Sequence, residues 1–291
     1  MSDASPANGA LVDRYDLFVF DLDGVVYVGA EAVPGAVPAL RRLRERGVGV
    51  AYATNNASRR APDVAALISG LGAPADADEV ITAAQATARV LAARLDAGSR
   101  VLIVGADALA AEVADVGLVP VRSADEKPVA VVQGYGPEVG WKQLAEGCVA
   151  VRGGALWVAT NADRTLPSAR GPLPGNGALV AALATAVDRE PDLVVGKPEP
   201  ALFEEAARQR AAKRPLVVGD RLDTDIEGAN RAGMDSLLVL TGVTSRADLR
   251  DAPPQHRPTY VAPDLNGLFD DSAVPLDQVL AELGTTSTSG A

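Results

Sequence analysis

Asp21 and Asp23 stand two residues apart where the apolar run 17–20 stops, and Gly24 follows them. Side chains of an extended strand alternate in direction, so this spacing aims both carboxylates at one side, and glycine then lets the chain turn sharply. Two ionised acids facing one spot, with a third at Asp220 nearby, repel one another unless a cation sits among them. An all-oxygen donor set suits Mg²⁺, which keeps some of its waters and pairs with phosphate. Three more polar groups each follow an apolar run: Thr54-Asn55-Asn56, Gly196-Lys197-Pro198, and Gly219-Asp220 with Asp225 five residues later. Lys197 offers a compact positive charge, Thr54 a hydroxyl, and the backbone amides near Asn55 and Asn56 an anion nest. Together these groups fit phosphoryl transfer. An aspartate at a strand end is by itself commonly a turn or cap residue, so the joint order of the four clusters carries the reading.

The elements that would hold these residues follow from periodicity. The run 17–20 predicts a buried strand, 34–46 an amphipathic helix with Val37, Leu40 and Leu43 inward and Gly47 as its stop, and 48–53 a second strand. The same grammar returns with strands at 193–195, 216–218 and 237–240 and helices at 201–212 and 226–232, all predicted to share one parallel sheet. Between these lies a segment of its own: helix 83–95, strand 101–104, helix 107–116, strand 129–133, helix 138–151 and strand 156–159. The expectation is an α/β protein, a three-layer Rossmann-like core with a parallel sheet, split as 11–81 and 179–283 around an inserted α/β domain at 82–178. Residues 1–10 and 284–291 are too polar and small to offset their ordering entropy and are expected as disordered tails. Open parallel sheets bind ligands at the carboxyl ends of strands, so the four clusters are expected to meet at one edge.

Composition narrows the chemistry. A formal net charge of -11 repels a polyanion and excludes nucleic-acid partners. No window approaches the roughly 20 consecutive apolar residues of a membrane span, and the start lacks a basic segment followed by an apolar one, so a cytoplasmic protein without a membrane partner is expected. Cys148 is the single cysteine, which fits a reducing compartment. It is read as a small core hydrophobe, because Gly154 stands where a Cys-x5-Arg loop needs its arginine. His256 is the single histidine, so catalysis by histidine pairs is excluded.

The motifs Asp21-Leu22-Asp23-Gly24-Val25-Val26-Tyr27, Thr54-Asn55-Asn56, Gly196-Lys197-Pro198 and Gly219-Asp220-Arg221-Leu222-Asp223-Thr224-Asp225-Ile226 resemble those of the haloacid dehalogenase superfamily. The likeness spans roughly 15–242 and looks greatest to the large-cap branch, which includes phosphatases of phosphoglycolate, p-nitrophenyl phosphate and glycerol 3-phosphate. It implies that Asp21 is the nucleophile forming a phosphoaspartate and that Asp23 is the acid and base. It further implies Mg²⁺ held by the Asp21 carboxylate, the Asp23 carbonyl, Asp220 and a supporting Asp225, with Thr54, Asn55 and Lys197 on the phosphoryl oxygens. The insert would be the cap that selects a small phosphorylated metabolite, with Asn161, Asp163, Arg164, Gly175 and Gly177 facing the leaving group. The patterns 153–159 and 171–177 look most like the glycerol 3-phosphate members, with 2-phosphoglycolate the alternative. Homodimers are implied by the same likeness.

Other readings fall on single positions. A calcium loop beginning at Asp223 has Met234 where its twelfth position needs glutamate. Residues 101–117 carry Gly105 alone where a dinucleotide-binding turn needs three glycines, and no Gly-x4-Gly-Lys-Ser/Thr sequence occurs. A receiver-like phosphate-binding module is the rival of another class, since it also places aspartates and a lysine at strand ends; the hundred-residue insert argues against it.

Overall fold

All four residues of Leu17–Phe20 are buried, as a strand covered on both faces requires. This is β1. The chain continues through β2 (Gly49–Thr54), β3 (Val80–Thr82), β4 (Arg100–Val104), β5 (Val119–Val121), β6 (Ala130–Gln133), β7 (Leu156–Ala159), β8 (Leu193–Val194), β9 (Pro215–Gly219), β10 (Asp235–Val239), β11 (Tyr260–Ala262) and β12 (Val274–Pro275). A computed structural model of the chain describes residues 9–166 and 170–286. It divides into two units, one ending at Ala51 and resuming at Ala207, the other Tyr52–Ala206, with β2 carrying the chain from the first to the second.

In the first unit the strand order is β12-β11-β10-β9-β1-β2. β9 lies parallel to both β1 and β10, with Phe20 opposite Val218 and Val218 opposite Leu237, and β12 turns back antiparallel on β11. Helix Ala36–Glu45 buries Ala36, Ala39, Leu40 and Leu43; of the three residues expected inward Leu40 and Leu43 are buried, while Val37 is half-buried because the buried face is centred on the alanines beside it. Asp16, just before β1, accepts from the amides of Lys213 and Arg214 at 2.9 Å each, which ties the starts of β1 and β9 together. Burial opposes its ionisation, but those amides hold its carboxyl below the ordinary range. The last helix, Leu276–Thr286, packs Leu276 and Val279 against Leu238 and Val261. Residues 284–286, expected in a disordered tail, therefore close a helix; 1–8 and 287–291 lie outside the described residues.

In the second unit β8-β7-β6-β4-β5 form an all-parallel sheet, and β3 pairs in parallel with the end of β2, Thr54 opposite Thr82. Trp157 on β7 is fully buried and its indole N–H donates to Gln133 Oε1 at 3.1 Å. Cys148 sits half-buried against this core, as a small hydrophobe would.

Three departures from expectation have local causes. The strand at 193–194 pairs with β7, Leu193 opposite Val158, instead of joining the sheet of β9; two half-exposed residues carry too little pattern to choose a sheet. The helix expected from 226 is preceded by a π-turn, Leu222–Ile226, that buries Thr224, Asp225 and Ile226. Such wide turns gather at functional sites because they re-aim side chains. Of residues 174–177, read as a glycine-rich turn, Pro174 ends a two-residue strand with Leu173, and Asn176 and Gly177 open a helix, Asn176–Val187. Among the described residues no helix is long and apolar enough to cross a membrane.

Candidate active site

Asp21 continues β1, and its amide donates to Val218 O on β9 at 2.8 Å, so the strand pairing itself places this residue. Asp220 follows β9 directly, and the π-turn swings Asp225 back, where its carboxylate accepts from the Arg221 amide at 3.2 Å. Asp21, Asp220 and Asp225 thus each offer a carboxylate oxygen, all within 4.8 Å of one another. Asp21 is 8 % exposed and the other two 0 %. Three carboxylates this close, at this burial, repel strongly unless a cation or protons intervene. The donor set is all oxygen and therefore fits a hard divalent ion. Asp23, half-exposed, is not part of that carboxylate cluster.

Two glycines make room for the acids. Gly24 has φ +85, and a Cβ there would stand 2.6 Å from Asp220 Oδ2; a Cβ on Gly242 would overlap the same oxygen. Val243 N donates to Asp220 Oδ2 at 2.7 Å, and Thr241 Oγ1 donates to Gly24 O at 2.7 Å. The segment 241–243 escaped the sequence reading, although it is one more polar, glycine-bearing stretch just beyond a strand, β10. Gly242→Ala should push the Asp220 carboxylate aside and lower metal affinity or turnover about 10- to 100-fold. Mg²⁺ titrations of activity and of melting temperature check this; unchanged Mg²⁺ dependence would remove Asp220 from the metal site.

In the second unit Thr54 ends β2 at 3 % exposure, and its Oγ1 accepts from Asn56 N at 3.1 Å. Asn55 and Lys197, 9 % and 3 % exposed, are locked together: Lys197 N donates to Asn55 Oδ1 at 2.8 Å, and Asn55 Nδ2 donates to Lys197 O at 3.1 Å. Asn161 and Asp163 join this pair, Asn161 Nδ2 donating to Asn55 O at 2.7 Å and the Asp163 carboxylate accepting from Asn55 Nδ2 at 3.0 Å. Gly175 and Gly177 pack on the backbone of 162–165, and Arg164 is exposed. His256 lies half-buried with Nε2 2.9 Å from Glu227 Oε2.

Fold and carboxylate cluster define a phosphoryl-transfer type of α/β hydrolase, and comparison with known proteins gives the class its name. Residues 18–119 match the family described as haloacid dehalogenase-like hydrolase, and 194–268 match a second family model, HAD-hydrolase-like. The chain belongs to the haloacid dehalogenase-like hydrolases. It is 52% identical over 263 residues to D-glycerol 3-phosphate phosphatase of Mycobacterium tuberculosis, spanning 90% of this chain and 73% of that one. A 5'-nucleotidase of Bacillus subtilis is 35% identical over 86% of this chain and 96% of its own. Among solved structures, glycerol phosphate phosphatase from M. tuberculosis in complex with magnesium superposes with a TM-score of 0.87 at 52% identity, covering 90% of this chain and 79% of that one. The 4-nitrophenylphosphatase of Thermotoga maritima gives 0.82 at 32% identity, over 89% and 97%.

Proposed function

We propose that this chain is a Mg²⁺-dependent phosphatase of a small phosphomonoester, glycerol 3-phosphate first, acting through a phosphoaspartate on Asp21. The observation that carries the reading is the buried trio Asp21, Asp220 and Asp225, gathered within 4.8 Å at the ends of β1 and β9. The 52% identity to a D-glycerol 3-phosphate phosphatase supports the choice of substrate. An Asp21 oxygen attacks phosphorus, the ester P–O bond breaks, and Asp23 gives its proton to the departing alkoxide. Asp23, now a carboxylate, takes a proton from water, which cleaves the phosphoaspartate and releases inorganic phosphate. Thr54 and the Lys197 ammonium compensate the charge on the phosphoryl oxygens. Asp21, Asp220, Asp225 and the Asp23 carbonyl would hold Mg²⁺, which offsets the carboxylates' repulsion and withdraws charge from the phosphoryl group.

The segment 82–178 serves in this reading as the cap that chooses the leaving group, with exposed Arg164 the candidate for an acidic one. The lone Cys148 supports a cytoplasmic setting, and sedimentation reads whether the chain forms the homodimer implied by its likeness. A screen of phosphorylated metabolites with and without Mg²⁺ tests the whole. Multiple turnovers of glycerol 3-phosphate, abolished by chelation, are expected. Far faster hydrolysis of 2-phosphoglycolate would overturn the substrate, and a single stoichiometric phosphorylation without turnover would overturn the enzyme.

A further inference from the structure

We propose that the turn 161–163 is a brace that positions Asn55 and the Lys197 main chain, so that Asp163 acts on phosphate binding through Asn55 and does not touch the leaving group. The inference rests on the reading of Thr54, Asn55 and Lys197 as phosphate partners. A side-chain amide has two N–H donors and one acceptor oxygen. In Asn55 the oxygen receives Lys197 N at 2.8 Å, while Nδ2 donates to Lys197 O at 3.1 Å and to both Asp163 oxygens at 3.2 and 3.0 Å. With both faces of its amide committed, Asn55 holds the lysine's backbone from two sides and presents only its main chain to a ligand.

The turn that makes this possible is itself built, not loose. Asn161 Nδ2 donates to Asn55 O at 2.7 Å, and Asn161 Oδ1 accepts from Asp163 N at 3.2 Å, closing the turn. Asn176 Nδ2 donates to Asn161 O at 2.8 Å and to Gln133 O at 3.3 Å, which fastens the turn to the end of β6. Gly177 N donates to Asp163 O at 2.8 Å and Gly175 N to Arg164 O at 2.9 Å, and a Cβ on either glycine would overlap a backbone carbonyl of residues 162 and 163. Asn161 is 3 % exposed and Asn176 1 %. Four residues that the sequence suggests as leaving-group contacts, Asn161, Asp163, Gly175 and Gly177, are therefore parts of one support. A carboxylate accepting from an amide makes a charge-assisted bond shorter and stronger than a neutral one, which explains an acid at 163. Asparagine there keeps an acceptor of the same shape, whereas alanine keeps none.

The test compares wild type, Asp163→Ala and Asp163→Asn. Inorganic phosphate binding is measured by calorimetry with Mg²⁺, alongside kcat and KM on glycerol 3-phosphate, 2-phosphoglycolate and p-nitrophenyl phosphate. Asp163→Ala is expected to weaken phosphate binding and to lower kcat/KM about 10-fold by the same factor on all three esters, with Asp163→Asn recovering most of both. A loss confined to one ester with phosphate affinity unchanged would make Asp163 a leaving-group contact and overturn the brace. A lowered melting temperature with phosphate affinity intact overturns it as well, because the role is then stability alone. Should the wild type bind phosphate yet hydrolyse none of the esters, the phosphatase reading fails while calorimetry on the variants still decides the brace. A wild type that binds no phosphate sinks both.

Discussion

Asp21→Asn is expected to abolish turnover, by about 10⁴-fold or more, while the protein stays folded. Asparagine has the same shape, so the cluster with Asp220 and Asp225 keeps its packing and loses one of its three mutually repelling charges. Without Mg²⁺ the melting temperature should therefore hold or rise, and its increase on adding Mg²⁺ should shrink, because one ligand charge is gone. The amide nitrogen cannot form the phosphoaspartate, and the other two acids are held in their own places: Asp220 Oδ2 accepts from Val243 N, and Asp225 Oδ2 accepts from Arg221 N. The checks are kcat on glycerol 3-phosphate and calorimetric melting with and without Mg²⁺. Residual activity within about tenfold of wild type would rule out covalent catalysis at this position.

Lys197→Ala is expected to cost about 10³-fold in kcat/KM, in the range seen when one fixed donor to a charged transition state is removed. The residue is 3 % exposed, so the ammonium acts in a poorly solvated place where a charge is felt more strongly than in water. Its main chain is held by Asn55 through both N–H and C=O. Truncation should thus leave the backbone in place and remove the charge alone. Lys197→Arg should not rescue, since a planar fork needs a different volume and geometry from a compact ammonium. Unlike Asp21→Asn, this change should also weaken inhibition by inorganic phosphate, which separates phosphate binding from nucleophilic attack. Near-normal phosphate inhibition in Lys197→Ala would take the residue out of the phosphate site.

Strands with four or five apolar residues in a row, such as Leu17–Phe20 and Leu156–Ala159, were legible because continuous burial leaves a continuous apolar run. Edge strands were harder: Val80–Thr82 and Val119–Val121, three residues long, are too short for a period to show, and Leu193–Val194, although read as a strand, carries too little pattern to tell which sheet it joins. The acidic cluster could be proposed from four short motifs, but the stretch 241–243 that seats Asp220 carries no charge to draw the eye. Nor could local pattern separate a residue that meets a ligand from one that holds such a residue. Asn161 and Asp163 have the polarity of contact residues, and their partner Asn55 lies more than a hundred positions away.

What the sequence determined by itself was the longer apolar strands and several of the helices, the family likeness and the kinds of atom available for chemistry, because these depend on neighbours a few positions apart. Tertiary structure alone decided which acids share a cation-sized space, since Asp21 meets Asp220 and Asp225 only through the pairing of β1 with β9 across nearly two hundred residues. It also decided that the 161–163 turn grips Asn55. Such pairings arise from burial and hydrogen bonding between distant segments, and no periodicity along the chain records which distant segment a strand or turn will choose.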